Sequence, residues 1–157
     1  MTRICNSIQI RQPIEQVFHF ITTPGNWPQW HPASVSVSDN ADHSLSPGEE
    51  VTENISVAGH RGQVTWLVRE RSAPHRWVID GIGKNGGRAT IIYTLTRHPV
   101  GTNFERELVY AMPNSLLAIL DRLIIRSRMK ADSVEALQRL KVRLESAVAP
   151  TIKEFIG

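Results

Sequence analysis

Cysteine is nearly absent: Cys5 is the only one in 157 residues, which excludes an intramolecular disulfide and any metal site built from clustered cysteines. In a strand, with no basic neighbour to activate it, this thiol is expected to be a small buried apolar group. Long apolar runs are missing as well. The longest, residues 116–120, falls far short of the roughly 20 residues that span a bilayer. The N-terminal segment lacks the apolar core and small-residue cleavage site of a secretory signal, so a cytoplasmic protein is expected. Charge of one sign is scarce: 18 Lys and Arg against 15 Asp and Glu leave a net charge of +3, too little to indicate a nucleic-acid partner. The six histidines show neither HxxxH nor HxH spacing, and no metal site is expected. No GxSxG elbow is present, and the GKNGG segment at 83–87 lacks the ending of a phosphate loop and is expected to be a hairpin. No metal or nucleotide cofactor is implied.

What the chain does have is the composition of a folded protein, 41% hydrophobic and 21% charged with a mean hydropathy of −0.22. Its length suits one domain that buries roughly 70% of its unfolded surface. No linker, repeat or low-complexity segment divides it, so residues 1–157 are expected to form a single domain with its core in 4–147 and a tail at 148–157.

Ile4, Ile8 and Ile10 alternate with polar residues as in a strand, and Pro13 then opens a short helix at its first position, with Val17, Phe18 and Ile21 on its apolar face. A second helical piece at 26–30 is halted by Pro32. From Ala33 the period becomes two, punctuated by glycine and proline, which predicts strands at 33–39, 50–58, 62–71, 76–83, 88–97 and 102–112. After Pro113 the period changes to three and four. Leu116, Leu120, Leu123, Val134, Leu137, Leu140, Leu144 and Val148 mark one amphipathic helix of about 34 residues, roughly 50 Å long, capped by Asn114 or Ser115 and stopped by Pro150. The order strand, two short helices, six strands, long helix excludes a parallel nucleotide-binding sheet. An α+β fold follows, in which a seven-stranded antiparallel sheet curls around the long helix and any space left between them is a pocket.

Several stretches resemble a known family: Ser7-Ile8-Gln9-Ile10 with Pro13-Ile14-Glu15-Gln16-Val17-Phe18; Asn26-Trp27-Pro28-Gln29-Trp30-His31-Pro32; Trp66-Leu67-Val68-Arg69-Glu70 leading to Ala73-Pro74-His75-Arg76-Trp77; Tyr93-Thr94-Leu95; and Gly101-Thr102. With Leu137, Leu140-Lys141 and Glu145 in the last helix, they resemble the helix-grip proteins of the START-related, birch-allergen-like superfamily, in its bacterial polyketide cyclase/dehydrase-like branch. The resemblance covers residues 4 to about 147. It implies the helix-grip fold and an apolar ligand, since similar proteins include aromatic-polyketide cyclases, sterol and lipid carriers, hormone-binding proteins and co-chaperone-like modules. It supplies no universal catalytic motif.

Strand alternation identifies the inward side chains. Glu53 is the one charge in the inward row of Val51, Ile55 and Val57, and Arg106 joins Phe104, Leu108, Tyr110 and Met112. These two either satisfy one another as a structural pair or face solvent through a bulge, or they bind the polar tip of a ligand. Tyr93 is either a satisfied core tyrosine or a donor to a ligand carbonyl. Trp66 and Trp77 point inward, and Leu120 and Leu123 of the helix complete the expected lining. Trp30 anchors the helical segment, and His31 stands at the cavity mouth as a surface histidine or an acid/base.

Between 114 and 148 there are seven Lys and Arg and four Asp and Glu, so the whole surplus of +3 sits on one helix. Arg122, Arg126 and Lys130 form a stripe there, either a solvated face or a contact for an anionic membrane surface or acidic partner. The leading expectation is a protein that binds a hydrophobic small molecule (lipid, isoprenoid or polyketide). The alternatives are a cyclase/dehydrase-type enzyme using Glu53, Tyr93 and Arg106, and an interaction module using the basic stripe.

Overall fold

A computed structural model describes residues 1–111 and 118–146, and of 118–122 the backbone alone. The helix caps expected at Asn114 and Ser115, the stop at Pro150, Leu116, Met112, Val148 and the tail lie outside the described residues, as do the side chains of Leu120 and Arg122. Strand β1 (Thr2–Ile10) leads to α1 (Ile14–Ile21), a 3-10 turn (Pro24–Asn26) and α2 (Trp27–Trp30). Strands β2 (Ser34–Val37), β3 (Glu50–Val57), β4 (His60–Ser72), β5 (Arg76–Gly83), β6 (Arg88–His98) and β7 (Gly101–Ala111) follow, and α3 (Ala118–Ser146) comes last. None of the described helices is long and apolar enough to cross a membrane.

The seven strands form one antiparallel sheet in the order β1-β7-β6-β5-β4-β3-β2. Hairpins make the meander, and β1 pairs with the last strand along its whole length, from Thr2 opposite Tyr110 to Ile10 opposite Thr102. The β3–β4 turn is tighter than the sequence suggested, because Ala58 and Gly59 both adopt positive φ (51° and 80°) and close a two-residue hairpin. Pro13 precedes α1 with ψ of 144° and acts as its N-cap, one position earlier than expected. Cys5 is exposed. It lies opposite Glu107 on the outward phase of β1, between the inward Ile4 and the inward-leaning Asn6. Partial desolvation, then the Glu105 and Glu107 carboxylates, push its thiol pKa up, which disfavours a reactive thiolate although the residue is exposed.

Helix α3 is 29 residues long, about 44 Å. Its C-terminal half is fastened to β1 and to the segment that follows it. Ala136, Leu137, Leu140 and Leu144 are buried, the Gln12 amide donates to the Leu144 carbonyl at 2.9 Å, and the Lys141 ammonium donates to the Gln9 carbonyl at 2.7 Å. Glu145 accepts from the Arg11 backbone N–H at 3.0 Å. The inward stripe runs back through Ser133, Asp132, Met129 and Ile125, so the phase expected for the N-terminal half is corrected: Leu123 is 66% exposed and Val134 46%. A helix advances 100° per residue, and only one phase is continuous with the clamped Leu137–Leu140–Leu144 ridge.

At this filled end the core is aromatic. Trp77 stacks on Tyr93 (centroids 5.4 Å apart) and meets Trp27 edge-on at 6.3 Å, while Tyr93 meets Phe104 at 5.1 Å. The Trp77 indole donates to the Leu45 carbonyl at 3.0 Å. Truncating Trp77→Ala removes the centre of this stack and is expected to destabilise the fold by about 3–5 kcal/mol in urea unfolding, whereas a loss under about 1 kcal/mol would contradict a close-packed core at this position.

Candidate functional site

The inner face of the sheet is filled at one end and hollow at the other. One cross-strand row reads Val51, Trp66, Gly81, Ala89 and Tyr110, so two small residues lie between two large aromatics. The next row places Glu53, Val64 and Gly83 side by side. A Cβ added at Gly81 would come within 2.5 Å of the Trp66 ring, which shows that the indole lies directly over this glycine. Above this floor is a cavity of about 280 Å³, roofed by Ile125, Met129, Asp132 and Ser133 of α3 and flanked by Trp27, Trp30, His31, Ala33 and Ser34.

Of the residues read from the sequence, Glu53, Ile55, Trp66, Tyr93, Arg106, Leu108, Tyr110, Trp30 and His31 all line this one cavity. Two do not. Trp77, fully buried, belongs to the aromatic core behind Tyr93, and Leu123 points to solvent because it lies off the inward stripe. Arg126 and Lys130 are exposed, each next in sequence to a roof residue, while Arg128 pairs with Asp132 at 3.1 Å. Asp132, Ser133, Gly81 and Ala89 were missed. Two of them were legible as the backward continuation of the Leu137 ridge, and Gly81 as a glycine inside a strand, a sign of close approach.

Glu53 and Arg106 face the same cavity without forming an ion pair, among the described residues. Glu53 accepts from the Trp66 indole at 3.1 Å. Burial raises its pKa, and Ser34, Trp66 and Arg106 offset this only in part. Arg106 is 6% exposed and stands directly opposite Tyr93 in the β6–β7 register. Its guanidinium donates to the Ser133 hydroxyl at 3.1 Å, and its Nε is buried without a hydrogen-bond partner among the described residues. Burial pushes the Tyr93 hydroxyl up to about 12, against the pull of Arg106, so it is a neutral donor. His31 is half-buried at the cavity wall: its Nδ1 accepts the Ala33 backbone N–H at 3.1 Å, which leaves Nε2 protonated in the neutral ring. Burial, then the Arg106 and Arg139 charges, holds its pKa well below the ordinary 6.5. Among the described residues, no three His, Cys, Asp or Glu side chains cluster as a metal would require.

A pKa depressed in the folded state means that the neutral His31 ring contributes its full stability above about pH 6.5 and loses it as pH falls toward the folded value. Between about pH 7.5 and pH 5.5 the wild type is expected to lose up to about 1.4 kcal/mol per pH unit more than His31→Gln, read by urea unfolding. Glu53, with its raised pKa, works in the opposite sense but equally in both proteins. Parallel pH profiles would show that His31 is hydrated and free to charge.

Solved structures share this architecture. TTHA0849 from Thermus thermophilus superposes with a TM-score of 0.75 at 14% identity, over 93% of this chain and 99% of its own. Protein CV1439 from Chromobacterium violaceum gives 0.72 at 14% identity, over 92% and 99%. The Aha1 protein from Colwellia psychrerythraea, solved as a dimer in solution, gives 0.63 at 15% identity, over 92% and 97%. At such identities the likeness is one of fold. No curated protein sequence matches the chain. Residues 1–145 match the family described as polyketide cyclase / dehydrase and lipid transport, and with its curled seven-stranded sheet gripping a long C-terminal helix, the chain belongs to that family.

Proposed function

We propose that the protein binds an apolar or amphipathic small molecule, of the lipid, isoprenoid or polyketide class, in the cavity between sheet and α3. The observation that carries this reading is the row itself: the Trp66 indole takes the space over Gly81, and Ala89 beside it stands where a larger inward residue would have completed the core. An aromatic and aliphatic lining with a few convergent polar groups is the usual make-up of a small-molecule site. Each CH₂ group transferred from water into it gains about 0.8 kcal/mol. The family description supports the reading at the level of ligand class.

Filling the floor tests it. Wild-type protein is expected to bind the neutral dye Nile red saturably, and Ala89→Trp, which projects an indole into the cavity, is expected to weaken binding at least about tenfold while the thermal midpoint stays within about 4 °C. Unchanged binding in a folded Ala89→Trp protein would place the dye elsewhere and overturn the reading.

A second reading, an enzyme of the cyclase/dehydrase kind, is favoured by one observation: Tyr93, Arg106 and Glu53 share a single cavity. Arg106 and the neutral Tyr93 would polarise a ketone oxygen while Glu53 moves a proton, and the walls would hold the chain folded. Turnover of a poly-β-ketone substrate is then expected to fall by about 100-fold or more in Glu53→Gln and in Tyr93→Phe. Full turnover in both variants would remove this reading and leave binding alone.

A further inference from the structure

The lining of the cavity holds one buried guanidinium with hydrogen-bonding capacity to spare. Arg106 uses one nitrogen on Ser133 and keeps Nε unpartnered, and the Trp30 indole N–H is also buried without a partner, both among the described residues. The Nε2–H of His31 and the hydroxyl of Tyr93 face the same space. Among the acceptors, Glu53 takes the Trp66 indole and Asp132 pairs with Arg128, which is outside the lining, while the Ser34 hydroxyl and Asp132 Oδ1 are also buried without a hydrogen-bond partner among the described residues. No carboxylate lies within ion-pair distance of Arg106 among the described residues, so a buried cation stands without a counter-charge in contact. A guanidinium in that position is costly unless something supplies two acceptor oxygens in its plane.

Its place in the sheet gives a direction. Along β7 the inward residues run Tyr110, Leu108, Arg106 and Phe104; the first three line the cavity and the fourth lies in the filled core. Arg106 therefore marks the inner end. The exposed Arg61 and Arg88 lie among the lining residues contributed by the β3–β4 and β5–β6 hairpin ends. Resting on the reading of the cavity as a small-molecule site, we infer that its ligand carries a carboxylate, received by Arg106 at the inner end, with an apolar tail lying over the Trp66 indole and Ala89 toward the hairpins. A planar, singly charged head matches one guanidinium fork. A dianionic phosphate suits the site less well, because a single buried cation would face it while Glu53 and Asp132 line the same walls.

Octanoate, 1-octanol and octyl phosphate, titrated into delipidated protein at about pH 7.5 with binding read by calorimetry, separate the possibilities. Wild type is expected to prefer octanoate over octanol by about tenfold or more, to bind octyl phosphate no better than octanoate, and to keep the preference in Arg88→Gln but lose it in Arg106→Gln. The acid-against-alcohol comparison in wild type stands even if Arg106→Gln fails to fold. Equal binding of acid and alcohol, tighter binding of the phosphate, or a preference that follows Arg88 would overturn the carboxylate while leaving the cavity a binding site. Binding of none of the three, together with loss of Nile red binding, would remove the cavity reading itself.

Discussion

The molecule depends on how α3 is fastened. Its last turns are locked to β1 and the following segment by the buried ridge Ala136, Leu137, Leu140 and Leu144, and by bonds from Gln12, Lys141 and Glu145 to facing groups. Once that ridge is engaged, the rotation of the whole rod is set, and with it the residues its earlier turns present to the sheet. They are Ile125, Met129, Asp132 and Ser133, two apolar and two polar, and they roof a space instead of filling it. The cavity is thus a consequence of a helix clamped at one end over a sheet whose other end carries glycine and alanine.

Electrostatics inside that space follows from the burial of its inner polar groups. Burial moves Glu53 toward its neutral form, keeps His31 neutral and pushes Tyr93 up to about 12. Arg106 keeps its charge, since a guanidinium does not give up its proton in proteins. Three titratable groups can relieve the cost of burial by taking their neutral forms and one cannot, which makes Arg106 the feature that a ligand must answer. Ser133 on α3 ties it to the roof at 3.1 Å, so the helix and the charge are positioned together.

Much of this was legible in the sequence. Period-two alternation named the inward faces of β3 and β7, and thereby Glu53 and Arg106, because a half-buried strand repeats every two residues without drift. A helix is less forgiving. Leu123 is apolar, yet it lies off the only phase continuous with Leu137, and the polar pair Asp132 and Ser133 holds the inward place. Trp77 shares the inward side of the sheet with Trp66 but sits over the filled end, a distinction that depends on strand register and not on alternation. The hollow row was also beyond alternation: Gly81 and Ala89 are neighbours only once β5 pairs with β6. Cys5, opposite Glu107 on the outer face, shows the same rule missed at a single position.

A high-resolution crystal structure of the protein as purified from cells, without added ligand, tests the central claim most directly. The account predicts elongated density along the Trp66 indole and Ala89 that ends in acceptor atoms at hydrogen-bonding distance from the Arg106 guanidinium. A cavity collapsed by α3 side chains closing onto Trp66 and Ala89, or an Arg106 paired to Glu53 with no room left between sheet and α3, would contradict it.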